Sequence, residues 1–236
     1  MLKRQIPNLI TLGNLMCGVE SVFASLATGD VRLAAIWICA GIVLDFFDGL
    51  AARLLNVTSD MGKQLDSLAD VITSGVAPAF LMVGLVEQPL RGTIPMWALG
   101  LTMLPFVLMP AFAAYRLAKF NIDTRQSHSF LGLPTPANAL IWVGLALAGY
   151  AIPGLAMAVA LAVVALVTDV LMVSEMPMFS LKVNFKEMGW RHNSVQYLFL
   201  IGCAAIVAVS RQWYALSIII LWYIALSAIT QRRHAE

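Results

Sequence analysis

Charge is scarce in this chain. Only 12% of its 236 residues are Asp, Glu, Lys or Arg, against about 25% in ordinary soluble domains. With 60% hydrophobic residues, too little polar surface is left to face water, so lipid must be the solvent. Histidine is limited to His128, His192 and His234, too scattered for a zinc-type cluster. Cysteine is limited to Cys17, Cys39 and Cys203, an odd number set in apolar runs. That excludes a disulfide framework and suggests core packing. The formal net charge of +2 is too small to argue for nucleic acid as a partner. No small-residue cleavage site closes the apolar run that follows Lys3 and Arg4, so this run reads as a retained first span. Internal repeats and low-complexity segments are also missing.

What is present is a series of apolar stretches, each able to cross about 30 Å of hydrocarbon. Eight are expected, roughly 7–28, 32–55, 62–86, 94–118, 133–151, 153–173, 193–210 and 212–230. All should be helical, because backbone polar groups in lipid need partners within their own segment. The expected architecture is therefore an all-α polytopic bundle, with residues 1–236 forming a single transmembrane domain. Turn chemistry separates the spans at Thr28-Gly29-Asp30, at 56–60, at Gln88-Pro89, at 126–129 and at Pro153-Gly154. Basic residues orient the bundle. With both termini in the cytoplasm, that side holds Lys3, Arg4, Arg53, Lys63, Arg116, Lys119, Arg125, Lys182, Lys186, Arg191, Arg232 and Arg233. Only Arg32, Arg91 and Arg211 fall on the other.

Four aspartates stand against this apolar background. Asp45 and Asp48 lie near the end of the second span, Asp66 and Asp70 near the start of the third. An Asp at mid-helix in lipid costs about 2.5–3.5 kcal/mol on insertion scales, and intramembrane acids usually face a cavity and act there. At about 100° per residue, Asp45, Asp48, Gly49, Ala52 and Arg53 share an arc of roughly 140°. Gly62, Asp66 and Asp70 step by four along one face of the next helix. The short connection makes the two helices antiparallel neighbours, with Asp48 opposite Asp66 and Asp45 opposite Asp70. Four carboxylates in one cleft repel one another until a multivalent cation joins them. An oxygen-only donor set favours Mg²⁺, Mn²⁺ or Ca²⁺ over zinc, and a pair of such ions can clamp phosphate oxygens.

The neighbouring residues suit a phosphate. Gly49, Ala52 and Gly62 leave room near the backbone, and Arg53 offers a fork for a phosphate oxygen. Thr58, Ser59 and Asp60 are candidate caps at a helix N-terminus, which favours anions. Taken singly, each has a simpler reading: small residues pack helices, Arg53 snorkels, a lone Asp pairs helices. Those readings do not explain four acids at matched depths. A cation transporter is the alternative class, but Leu33 to Leu44 and Val76 to Val86 contain no acid, leaving these two spans without a polar path to the far side.

The string from Asp45-Phe-Phe-Asp48-Gly49 through Ala52-Arg53, then Gly62, Asp66 and Asp70, reproduces at every position and spacing the signature of the CDP-alcohol phosphatidyltransferases, which this chain resembles. Several further segments resemble the branch whose acceptor is L-serine. These are Pro7-Asn8-Leu-Ile-Thr11-Leu-Gly-Asn14, Ser74-Gly75-Val76-Ala77-Pro78, Arg116-Leu-Ala-Lys119-Phe120-Asn121 and Gly132-Leu133-Pro134-Thr135-Pro136-Ala137. The resemblance implies a six-helix core, about 5–175, with two added C-terminal spans, about 193–230. It implies transfer of the phosphatidyl group from CDP-diacylglycerol to L-serine; glycerol phosphate, inositol or choline are the alternative acceptors. It implies two ions, Mg²⁺ or Mn²⁺, on Asp45, Asp48, Asp66 and Asp70, with Asp66 bridging and Asp70 also serving as general base. Asn8, Thr11, Gly49, Ala52, Arg53 and Gly62 would cradle the CDP part, while Arg116 and Asn121 would hold the serine carboxylate or the lipid phosphate. A homodimer in a bacterial or archaeal-type cell membrane, with its site toward the cytoplasm, completes the expectation.

Overall fold

The computed structural model describes residues 2–57, 59–123, 130–149, 154–179 and 190–232. Thr58, Arg125, Lys182, Lys186 and Arg233 lie outside them, as do the side chains of Arg4, Arg191 and Arg232. Nine α-helical segments form eight rods among the described residues: α1 Leu2–Phe23, α2 Val31–Leu54, α3 Asp60–Asp70, α4 Ala77–Leu90, α5 Met96–Ile122, α6 Thr135–Leu147, α7 Leu155–Val173, α8 Trp190–Ser210 and α9 Ala215–Arg232. The protein is an all-α polytopic membrane protein. Among the described residues, five rods are long and apolar enough to cross a bilayer: Gln5–Thr28, Val31–Leu54, Asp60–Leu90, Met96–Ile122 and Leu155–Val173. Thr135–Leu147, Ser194–Ser210 and Ala215–Thr230 are shorter apolar helices. One two-residue antiparallel ladder, Phe130–Leu131 with Pro177–Met178, joins the segments that follow α5 and α7.

Turn chemistry ends the helices where the composition suggests. α1 runs into a π-helical turn, Ala24–Thr28, and stops at Gly29 in the left-handed region. Asp30 then caps α2, its carboxylate accepting from the Arg32 and Leu33 amides at 3.0 and 2.9 Å. Ser59 caps α3 by accepting from the Gly62 amide at 3.0 Å. The fifth rod is shorter than the expected 133–151. Leu147 is its last helical residue and Gly149 already has φ +65°, so the helix closes before Pro153 is reached.

The third span is one rod with a fault in it. Between α3 and α4 the ladder widens into a π-helical turn, Val71–Val76, where the Ala77 amide donates to the Ile72 carbonyl five residues back. Here the helices approach closely. A Cβ on Gly41 of α2 would lie 2.4 Å from Thr73 Cγ2, and one on Gly18 of α1 would lie 2.7 Å from Thr73 Oγ1. Thr73 uses that proximity to donate to the Asn14 carbonyl at 3.0 Å. Small residues on α1 and α2 thus let the π turn sit between them, as in other membrane interfaces.

Elsewhere the core is largely apolar. Trp142, Phe106, Ile38, Leu81, Met82 and Met109 are fully buried, and Phe106 meets Trp142 edge-on at 5.7 Å. Large side chains such as Leu9, Met16, Val43, Leu104 and Val163 project outward, as lipid-facing residues do. α9 joins the bundle through α6: Ser217 donates to the Ile141 carbonyl, and a Cβ on Gly144 would strike its hydroxyl.

Candidate active site

The aspartates gather at one end of the bundle, where α1, α2 and α3 meet. One carboxylate oxygen from each of Asp45, Asp48 and Asp66 lies within 4.8 Å of the others. Asp70, one turn further in and buried, is within hydrogen-bond reach of Asp45, which also reaches Asp66. Of the pairing expected from the sequence, Asp45 meets Asp70, but Asp45 also reaches Asp66, which was expected opposite Asp48. Antiparallel packing brings Asp45 against Asp70, and Asp45 and Asp48 converge on Asp66.

An open cleft of about 510 Å³ leads to this cluster. α1 lines it with Pro7, Asn8 and Thr11, α2 with Asp48, Gly49 and Ala52, and α3 with Gly62, Lys63 and Asp66. That volume suits a small-molecule headgroup. Gly49 leaves an unfilled space: a Cβ there would meet nothing within 4 Å, so packing of the protein itself does not require glycine. Gly62 differs, since a Cβ there would press on Ser59 Oγ and Asn8 Oδ1 at 3.1 and 3.3 Å.

Thr11 lines the cleft, but its hydroxyl is already engaged. It lies 2.6 Å from Asp48 Oδ2 and donates to that carboxylate, with the Pro7 carbonyl as a second acceptor at 3.0 Å. Its position thus fixes the rotamer of an acidic ligand. Arg53 stands apart from the cleft lining: it is exposed and its Nε donates to the Gly49 carbonyl at 3.0 Å. Asn121 also sits outside it. Its amide donates to Ser67 Oγ at 2.7 Å while Lys63 Nζ donates to its carbonyl at 3.1 Å, so it clamps the end of α5 to α3. Arg116 is buried on α5 beside Asp70, whose charge it feels; its Nη1 points to Thr135 Oγ1 at 3.4 Å, and Phe120 lies 6.0 Å from its guanidinium carbon. Lys63, which the sequence marks only as an orienting charge, also lines the cleft, four residues after the cap Ser59.

The donor set fits a hard divalent cation. Three carboxylates converge with no sulfur or imidazole among them, and their 4.8 Å spread is close to the roughly 4 Å between opposite oxygens on an ion with 2.0–2.1 Å bonds. A small inward shift of side chains closes the difference. Without a cation, four carboxylates would crowd together with Lys63 and Arg116 as the nearby cations among the described residues, an arrangement opposed by Coulomb repulsion at low dielectric.

Comparison with known proteins settles the ancestry. A family model described as CDP-alcohol phosphatidyltransferase matches residues 4–171. The chain belongs to that family. All four aspartates fall in the matched stretch, and α8 and α9 lie beyond it. Among curated proteins, it is similar to the CDP-diacylglycerol–serine O-phosphatidyltransferase of Bacillus subtilis, 39% identical over 137 residues, 56% of this chain and 69% of that protein. The proteins of the same name from Helicobacter pylori and Saccharomyces cerevisiae are 41% and 34% identical over 140 and 152 residues. Each alignment takes in 58% of this chain, and spans 55% and 51% of those two relatives.

Proposed function

We propose that this family member is a phosphatidylserine synthase: it transfers the phosphatidyl group of CDP-diacylglycerol to L-serine and releases CMP. The observation that carries this reading is the convergence of Asp45, Asp48 and Asp66 at the head of a cleft, with Asp70 beside Asp45. The serine acceptor is supported by the relatives' names and by the segments around Ser74 and Thr135.

In this reading Asp45, Asp48, Asp66 and Asp70 hold two ions, Mg²⁺ or Mn²⁺. Bound there, the ions would neutralise charge on the phosphoryl oxygens and on departing CMP. The protein's own residues do the rest. Asn8, Gly49, Ala52 and Gly62 bound the space for the CDP moiety, and Thr11 keeps Asp48 turned toward the cluster. Arg53, whose Nε donates to the Gly49 carbonyl, would meet a phosphate oxygen with its Nη groups. Asp70, the last acid of the signature, accepts the proton of the serine hydroxyl as the serine oxygen bonds to phosphorus and the bond from phosphorus to the CMP oxygen breaks. The basic residues Arg53, Lys63 and Lys119 share the aspartate end, so this end faces the cytoplasm under the positive-inside rule. A homodimer is the assembly that the family resemblance implies.

The test is CMP release from CDP-diacylglycerol by purified protein with Mg²⁺ or Mn²⁺, one alcohol at a time. Serine is expected to support it; release with inositol or glycerol phosphate but not serine overturns the acceptor, and no release with any alcohol overturns the activity. Asp70→Asn is expected to lose turnover while largely retaining nucleotide binding. Equal loss of both would make Asp70 a metal ligand without the proton-transfer role.

A further inference from the structure

Near Asp70, and outside the cleft lining, lies a set of buried polar groups with no hydrogen-bond partner among the described residues. Arg116 is 7% exposed, and its Nε has no hydrogen-bond partner. Asn138 on α6 is wholly buried, with neither its amide nitrogen nor its carbonyl oxygen paired. Ser74, in the π turn after Asp70, is 1% exposed and its hydroxyl is also unpaired. These residues belong to one region. Arg116 reaches Thr135; Thr135 and Asn138 are three apart and share a face of α6. Gly75 packs against Ala113, one turn before Arg116 on α5, and α6 packs against the π turn. A buried amide left unpaired costs about 1–3 kcal/mol, so several in one place call for a ligand.

Charge identifies its class. The acid whose charge acts on Arg116 is Asp70. Once the Asp70 carboxylate serves the metal cluster, a buried guanidinium is left without a counter-ion, a strongly unfavourable state. A carboxylate brought in by the substrate restores neutrality and accepts the free Nε–H. The Asn138 amide then donates to its second oxygen, and the amide carbonyl or Ser74 accepts from an ammonium group.

We propose that Arg116, Asn138 and Ser74 form the acceptor subsite, and that Asn138 is a specificity residue selecting an α-amino-acid alcohol over an alcohol without a carboxylate. This rests on the reading of the chain as a serine-accepting enzyme. It brings the acceptor hydroxyl to Asp70, the acid whose charge acts on Arg116.

The experiment is steady-state CMP release by the full-length protein and its Asn138→Ala and Asn138→Leu variants, with serine and CDP-diacylglycerol varied separately and ethanolamine as the acceptor lacking the carboxylate. A hydrogen bond to a charged group is worth enough for a tenfold to hundredfold effect. KM for serine is therefore expected to rise about tenfold or more, KM for CDP-diacylglycerol to stay within about twofold, and the preference for serine over ethanolamine to shrink. The melting temperature should hold or rise in Asn138→Leu, since the variant removes an unpaired buried amide. An unchanged serine KM, or equal rises in both KM values, in a variant with native melting behaviour overturns the subsite while leaving the serine reading intact. If the unmodified protein itself turns over another alcohol and rejects serine, both fall.

Discussion

Replacing Thr11 by Val tests how far the site depends on a residue that touches no metal. The side chains are nearly isosteric, Thr11 is 3% exposed, and the Pro7 carbonyl keeps its helical amide partner, so the fold should tolerate the change. What disappears is the 2.6 Å hydrogen bond to Asp48 Oδ2. A bond to an ionised acceptor is worth about 1.5–3 kcal/mol, which is about ten- to a hundredfold at 1.4 kcal/mol per decade. Loss of an outer partner of a metal-binding carboxylate costs a similar ten- to a hundredfold in affinity. The concentration of Mg²⁺ or Mn²⁺ giving half-maximal CMP release should therefore rise by about that factor, and saturating metal should recover most of the rate. Thr11→Ser should restore normal metal dependence. An unchanged metal requirement in Thr11→Val, or a rate loss that saturating metal leaves untouched, would refute the assignment of Thr11 as the residue holding Asp48.

Other substitutions separate packing from binding. Gly49→Ala adds a methyl group to open space and improves helix propensity by about 1 kcal/mol; the melting temperature should hold or rise while KM for CDP-diacylglycerol increases. Gly41→Ala should do the reverse. Its Cβ would overlap Thr73, overpacking costs about 1–3 kcal/mol, and both melting temperature and activity should fall. Asn121→Ala breaks the clamp on Ser67 and should lower stability by about 1 kcal/mol, measured by denaturation in detergent, with serine KM changed less than about twofold; a large serine-specific KM effect would return Asn121 to the acceptor site.

The spans and the acidic cluster were legible because each rests on a local rule. Long apolar runs imply helices in lipid, and Asp66 and Asp70, four apart, must share a helix face. The rest depends on register between distant segments. Thr11 and Asp48 are 37 residues apart, and only the packing of α1 on α2 shows that the threonine serves the aspartate instead of a ligand. Arg53 and Asn121 carry the right chemistry in the right segments, yet their hydrogen bonds run to Gly49 and Ser67. Asn138 gave no signal, since one amide in an apolar span stands out only when its burial and lack of partners are known. The π turn was equally hidden: a shift in hydrogen-bond register leaves no mark on hydrophobic pattern.

That turn has a mechanical meaning. An ordinary helix gives every residue a fixed bearing, so the face that serves the aspartates would also dictate which face α4 turns toward the core sixteen residues on. The extra residue in Val71–Val76 resets that bearing by about 100°. The third rod works like a shaft with a keyed coupling: α3 is clocked to the chemistry and α4 to the bundle. Removing one residue from the coupling would keep every side chain's identity yet turn the two ends out of phase, so the site would be lost without any change to a residue that forms it.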